Sequence, residues 1–236
     1  MSHSLKVNME GVKVMMAIPG GRNPDWLTVT SILSTMMQLN DMQVPCEPGI
    51  IRHCAIVTKA RDQLVDQFLS SDCTHMFWLD DDMVWAPDSF VRLLALATQV
   101  DVVAAAYPAR KDPVTYFAKT ENGKTDLEAS ELGLIEIEGI GLGFCCMARA
   151  AVEAVVENKR VVYDQIAQQS IRTVFRTDEF EGNFRGEDMA FFADIREAGF
   201  KVWCDPSIEL GHLGTKEYRG RLLDVLTVNS NETVKA

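Results

Sequence analysis

The sequence predicts a single α/β domain built on a mainly parallel sheet with helices on both faces. Three observations carry this. Short apolar runs alternate along the chain with longer segments whose apolar residues recur at helical spacing. The first such run ends at Pro19-Gly20-Gly21, which reads as a strand entering a tight loop. A chain of 236 residues, 47% hydrophobic and 24% charged, has the apolar content for one large core.

Taken in order, residues 12–18 read as a buried strand. Asn23-Pro24-Asp25 then starts a helix, with Asn23 as cap and Pro24 in the first turn. Val29, Ile32, Leu33, Met36 and Met37 give that helix one apolar face. This strand, glycine loop and helix form a Rossmann-like opening of the kind that handles phosphate. Residues 50–56 are expected as a strand, and 58–69 as a helix with Leu64, Val65, Phe68 and Leu69 inward. Residues 74–79 read as a fully buried central strand, with Phe77 and Trp78 in the core. Asp80, Asp81 and Asp82 follow it directly. Ala86-Pro87-Asp88 opens a helix with Phe90, Leu93, Leu94 and Ala97 inward, and residues 101–107 read as a strand.

The stretch 108–131 is polar and turn-rich, with Asn122-Gly123 expected as a hairpin turn. Strands at 134–137 and 144–147 flank Gly139, Gly141 and Gly143, and a helix is expected at 149–157. Residues 164–185 show little periodicity, which predicts a mobile loop over a site. Gly186-Glu187-Asp188 opens a helix that Gly199 closes, and 201–204 forms a late strand. The tail from 215 carries one short apolar group, Leu222, Leu223, Val225 and Leu226.

Composition excludes some functions. The formal net charge of −11 provides no global basic field, which disfavours non-specific binding to duplex nucleic acid. Arg172, Arg176 and Arg185 form a local basic stretch that either holds an anionic acceptor or offsets nearby acids. The six cysteines lack CxxC spacing and read as buried free thiols, not as a zinc site or a disulfide framework. No apolar run is long enough for a bilayer and the N-terminus has no signal-like apolar stretch, so a cytoplasmic protein is expected.

Consecutive aspartates at a strand end need cations nearby. Alternation along a strand places Asp80 and Asp82 on one side and Asp81 on the other. Paired carboxylates suit a hard divalent ion; the competing reading is a solvated, turn-capping acidic cluster. Glu187 and Asp188, in a helix's first turn, complement its dipole whether or not they react. His212, between Gly211 and Gly214, is either a loop hydrogen bonder or a ligand placed by flexible backbone. Arg61, Arg110 and Lys111 each follow an inferred strand and are candidate phosphate or base contacts; judged singly, each is a solvated charge. Trp85 either packs or stacks on a sugar or acceptor.

In order along the chain, these motifs resemble the glycosyltransferases of GT-A fold, in particular the family 2-like inverting group. FWLDDDM resembles their DxD motif, and Ala17-Ile18-Pro19-Gly20-Gly21 their first strand and nucleotide loop. Ala60-Arg61-Asp62 is similar to their segment beside base and ribose, and Gly141-Leu142-Gly143-Phe144 to their acceptor-side glycine segment. Arg185-Gly186-Glu187-Asp188 resembles their ED motif, and Gly211-His212-Leu213-Gly214 their late metal-binding histidine. The set spans roughly residues 13 to 214.

The resemblance implies a nucleotide-sugar donor, with UDP the expected nucleotide, bound through Mn²⁺ or Mg²⁺. Asp82 and His212 would ligate the metal, and Asp80 would contact ribose or a metal-bound water. Pro19, Gly20, Gly21, Arg61, Asp81 and Lys111 would complete the donor site. Asp188 would be the general base, with Glu187 orienting the acceptor beside Gly141, Gly143 and Trp85. Residues 12–107 would form the donor half, 108–214 the acceptor half and 215–236 a tail. The acceptor is a hydroxyl compound whose class the sequence leaves open: saccharide, small molecule, lipid, protein or modified DNA base. The chain departs from the processive synthases of the family in lacking a QxxRW motif. Two rival readings remain: a sugar-phosphate nucleotidyltransferase, and a nucleotide-sugar-binding protein without activity.

Overall fold

A computed structural model describes residues 9–21, 23–120, 127–226 and 228–229. The expected turn at Asn122-Gly123 lies outside the described residues. In chain order the elements begin with β1 (Val14–Pro19), α1 (Trp26–Asp41), β2 (Cys46–Ile51), α2 (Val57–Ser70), β3 (His75–Leu79), β4 (Met83–Trp85), α3 (Pro87–Ala97) and β5 (Val102–Ala104). Then come β6 (Ala118–Lys119), β7 (Leu127–Glu128), β8 (Ile135–Ile137), β9 (Gly139–Ile140), β10 (Phe144–Ala148) and α4 (Arg149–Val156). The last part holds β11 (Val161–Asp164), β12 (Gln169–Arg172), β13 (Asp178–Phe180), β14 (Asn183–Arg185), α5 (Glu187–Glu197), β15 (Val202–Cys204), β16 (Leu210–Leu213), β17 (Glu217–Gly220) and β18 (Val228–Asn229).

Seven strands form the central sheet in the order β2-β1-β3-β10-β5-β15-β8. Five run the same way; β10 and β8 oppose them. Alternation along the strands divides the core into two layers. Met15, Ala17, Met76 and Trp78 join Leu64, Phe68, Val152 and Phe191, so α2, α4 and α5 cover that face. Val14, Met16, Phe77 and Leu79 join Leu39, Phe90, Leu93 and Leu94, so α1 and α3 cover the other. This is the mixed α/β architecture that the sequence predicts, with a mainly parallel sheet and helices on both faces.

Three expectations need correction. The second strand lies at Cys46–Ile51, not at 50–56. It is an edge strand, where Pro48 costs no ladder bond and apolar continuity is not required. In α1 the cap is Asp25, which accepts from the Leu27 N–H, and Asn23 and Pro24 precede the helix. Its inward face is Thr28, Ser31, Thr35 and Leu39, while Leu33 and Met37 are exposed. The polar side chains face inward because they have partners there: Ser31 Oγ accepts from Trp85 N and Thr35 Oγ1 from Trp85 Nε1. Finally, residues 164–185 are not an unstructured loop but contain most of two hairpins, β11–β12 and β13–β14. Asp62 anchors the segment between them by accepting from Val174 N and Phe175 N, both at 2.8 Å.

The fourth helix, the β10 strand and the inward face of α3 fall where the sequence predicts them. All six cysteines are free thiols, four of them buried, and burial pushes the Cys204 thiol up to about 12. No helix among the described residues is long and apolar enough to cross a membrane.

Candidate functional site

The site forms at the edge where the parallel strands end, where an α/β sheet places its ligands. Strand β3 delivers the three aspartates into a turn, closed by Met83 N donating to Asp80 O. The turn does more than strand alternation predicts, because it sends the three carboxylates towards three different partners.

Asp82 meets His212 through a small second sheet of order β17-β16-β4. Strand β4 follows the aspartates immediately and pairs with β16, placing His212 opposite Met83. Leu213 N also donates to Asp82 O at 2.9 Å. The result is His212 Nε2 at 3.5 Å from Asp82 Oδ1. His212 Nδ1 lies 2.8 Å from the Pro108 carbonyl, which can only accept, so Nδ1 carries the proton and Nε2 the lone pair. Burial, with Arg110 close by, holds the imidazole below its ordinary pKa, and therefore neutral. Neither Gly211 nor Gly214 has a left-handed backbone, and Gly211 lies within β16 beside His212.

Asp80 turns the other way. Its Oδ1 lies 3.3 Å from Arg61 Nη2, and Arg61 Nη1 reaches both Asp188 and, at 3.2 Å, Glu187. Arg61 is 3% exposed, so it is neither a solvated charge nor a side chain open to a base. It ties the N-terminal part of α2 to the first turn of α5. Three carboxylates around it hold its proton firmly despite burial, while burial itself raises the Asp188 carboxyl. Asp188 Oδ2 also accepts from Leu142 N at 3.3 Å.

Asp81 takes the third direction, accepting from Gly21 N at 3.1 Å, and so clasps the glycine loop after β1. Gly20 is the backbone link to the β2 end, donating to Ile51 O and accepting from Cys54 N.

These groups line one cavity of about 370 Å³. Of the expected residues it gathers Pro19, Gly21, Arg61, Asp80, Asp81, Asp82, Glu187, Asp188 and His212. Five carboxylates there face two guanidinium groups, Arg61 and Arg110, which leaves an excess of negative charge. Two glycines make room for the wall. A Cβ on Gly143 would lie 2.5 Å from Asp80 Oδ2, and one on Gly141 would collide with the Tyr107 hydroxyl.

Gly20, Trp85 and Lys111 are expected residues that do not line the cavity; Gly20 is held in backbone pairing. Trp85 is 3% exposed and packs against Phe144, so it fills core and does not stack on a ligand. Lys111 is exposed and does not line the cavity; its neighbour Arg110 does, paired with Asp82 Oδ2. Tyr107 has no motif to announce it, yet it sits at the centre. Its ring packs on His212 at 5.0 Å, and burial, with Asp80 and Asp188 nearby, raises its hydroxyl well above its ordinary range. The basic stretch expected near 172–185 offsets acids: Arg172 pairs with Asp66, Arg176 with Asp194 and Arg185 with Asp178.

Among the described residues, three potential ligand atoms within 4.8 Å of one another belong to Glu47, Asp72 and Cys73, at the opposite end of the strands. Lys13 already supplies the cation there, 2.5 Å from Glu47 and bonded to Asp72. A larger hollow of about 840 Å³, beside Tyr116, Phe180 and Leu222, contains none of the carboxylate–imidazole group.

The donor set at Asp82 and His212 fits a divalent cation. Adjacent ligands of an ion bound at ~2.1 Å lie ~3 Å apart, close to the separation observed here. A neutral imidazole beside a carboxylate is a mixed nitrogen–oxygen pair that divalent metal ions accept.

The chain matches no protein-family model, and no curated protein matches it. Among solved structures it is similar to A197 from STIV, with a TM-score of 0.58 and 18% identity over 95% of this chain and 97% of that one. It is also similar to GalNAc-T7 with UDP, GalNAc and Mn²⁺, with a TM-score of 0.44 and 12% identity, covering 86% of this chain and 44% of that one. At these identities the likeness concerns fold alone. The class so defined is a mixed α/β protein with a seven-stranded, mainly parallel sheet.

Proposed function

We propose that the protein is a metal-dependent glycosyltransferase that moves a sugar from a nucleoside diphosphate sugar to a hydroxyl acceptor, with inversion. One observation carries the reading: Asp82 and His212 converge at one wall of a cavity that has Asp188 at another. Asp82 Oδ1 and His212 Nε2 would hold Mn²⁺ or Mg²⁺, which when bound neutralises charge on the departing diphosphate as a Lewis acid.

The chain's own residues supply the rest. The loop at Pro19, Gly20 and Gly21, held by Asp81, borders the donor, and Asp80 takes the ribose or a bound water. Asp188 accepts the acceptor's proton as bond formation begins, and burial raises its basicity for that step. Arg61 fixes its orientation, and Glu187 steers the acceptor. Residues 12–107 form the donor half and 108–214 the acceptor half. UDP is the donor nucleotide we assign.

The test is a thermal-shift and donor-hydrolysis screen of UDP-, GDP- and TDP-sugars with and without Mn²⁺. One donor should raise the melting temperature only when Mn²⁺ is present. Indifference to every donor would reject the reading. Pyrophosphate release from a nucleoside triphosphate and a sugar phosphate would replace it with a nucleotidyltransferase.

A further inference from the structure

Asp188 borders two spaces. Besides the 370 Å³ cavity, it lines a separate slot of about 130 Å³ whose other walls are Tyr107, Ala109, Phe117, Ile140 and Gly141. The chemistry of the two differs sharply. The first is crowded with charge; the second carries Asp188 as its one charged group, and the Tyr107 hydroxyl stays neutral because it is buried beside two carboxylates. The slot exists because residue 141 is glycine: any side chain there would drive into Tyr107. At its mouth Phe117, immediately before β6, is 68% exposed and leaves its ring open to a ligand.

We propose that this slot is the acceptor subsite and that it takes an uncharged saccharide unit. The assignment rests on the glycosyltransferase reading and extends it to the substrate class. A sugar ring has an apolar C–H face and a hydroxyl rim. Phe117 offers a surface to the first, and Asp188 an acceptor to the second. A phosphorylated or carboxylated acceptor finds no cation in the slot and meets the Asp188 charge. A nucleobase is read through hydrogen bonds to its pairing edge, and the slot's side chains offer only Tyr107 and Asp188 for that purpose. The net charge of −11 also opposes a nucleic-acid strand.

The experiment is saturation-transfer NMR on the full chain loaded with UDP and Mn²⁺, using methyl hexosides, their 6-phosphates and 5-hydroxymethyl-deoxycytidine as probes. Methyl hexosides should bind, and the phosphates and the nucleoside should bind more weakly or not at all. Phe117→Ala should weaken hexoside binding by ~5-fold or more, and Phe117→Trp should retain it, as expected for an aromatic platform. Neither change should alter UDP binding measured by calorimetry, which also shows that each variant is folded. Preference for a phosphate or the nucleoside, unchanged hexoside affinity in Phe117→Ala, or no hexoside binding by a UDP-loaded protein overturns the acceptor assignment alone. Failure of UDP to bind in the presence of Mn²⁺ overturns the glycosyltransferase reading and this inference together.

Discussion

His212 Nε2 faces Asp82 Oδ1 at 3.5 Å because its other ring nitrogen donates to the Pro108 carbonyl. That second bond fixes the tautomer, so a neutral imidazole presents its lone pair to a carboxylate instead of a proton. A pairing of this kind is well formed for a shared cation and only a modest contact without one.

His212→Ala should therefore lower Mn²⁺-dependent affinity for the donor by ~100-fold or more, since even outer partners of metal ligands cost 10–100-fold. Asp82→Asn should act similarly. Calorimetric titration of UDP with Mn²⁺ into each variant measures this; wild-type affinity in both would rule out the pair as ligands.

Asp188→Asn separates an enzyme from a binding protein. Donor affinity should persist, because on the proposed reading the diphosphate end would bind at Asp82 and His212, while turnover falls by ~10²–10⁴-fold. Donor hydrolysis and transfer are the readouts. Unchanged turnover would remove Asp188 from the chemistry.

Arg61→Met should destabilise the fold by ~3–5 kcal/mol, the range for removing one partner of a buried charge cluster. The guanidinium is the shared counter-charge for Asp80, Glu187 and Asp188, and without it three carboxylates face one another at low exposure. Urea unfolding gives the value. A loss below ~1 kcal/mol would mean that solvent or ions already screen the cluster.

Gly141→Ala should cost about 2 kcal/mol and reduce activity, because the added methyl meets the hydroxyl end of the partly buried Tyr107. Gly143→Ala should be milder for stability and harsher for donor binding, since its methyl displaces the Asp80 side chain. Paired melting curves and donor titrations distinguish the two.

Asp62 provides a pH test away from the site. Burial raises its carboxyl from 3.8 to about 6, against the two backbone donors that oppose the shift. Between those values the folded chain binds a proton that the unfolded chain releases, so this group's contribution to stability falls as pH rises from about 4 to 6. At ~1.36 kcal/mol per unit the change is ~3 kcal/mol. Asp62→Asn keeps an acceptor for Val174 and Phe175 but does not titrate. Its stability relative to wild type should improve by that amount between pH 4 and pH 7. A pH-independent difference would place the Asp62 pKa near its ordinary value.

The strands and helices of the core were legible in the sequence because burial imposes a period. His75–Leu79 reads as a central strand since all five side chains are enclosed, and Phe90, Leu93, Leu94 and Ala97 mark the inner face of α3. The same rule misplaced α1, whose outer face is as apolar as its inner one. Periodicity has no direction when polar groups find buried partners, as Ser31 and Thr35 do with Trp85. The edge strand β2 was misplaced towards 50–56 and the hairpins at 161–185 escaped notice, because backbone pairing and single anchors such as Asp62 hold them, and neither leaves an apolar pattern.

By itself, then, the amino-acid order determined the sheet, its covering helices, and which acidic residues end up at a strand terminus and a helix start. These follow from local burial and capping. Only tertiary structure decided which groups meet: the β4–β16 register brought His212 to Asp82, a buried Arg61 joined α2 to α5, and Tyr107 and Phe117 framed a slot beside Asp188. The physical reason is that such contacts join residues distant along the chain, and their energy depends on distances no local pattern encodes.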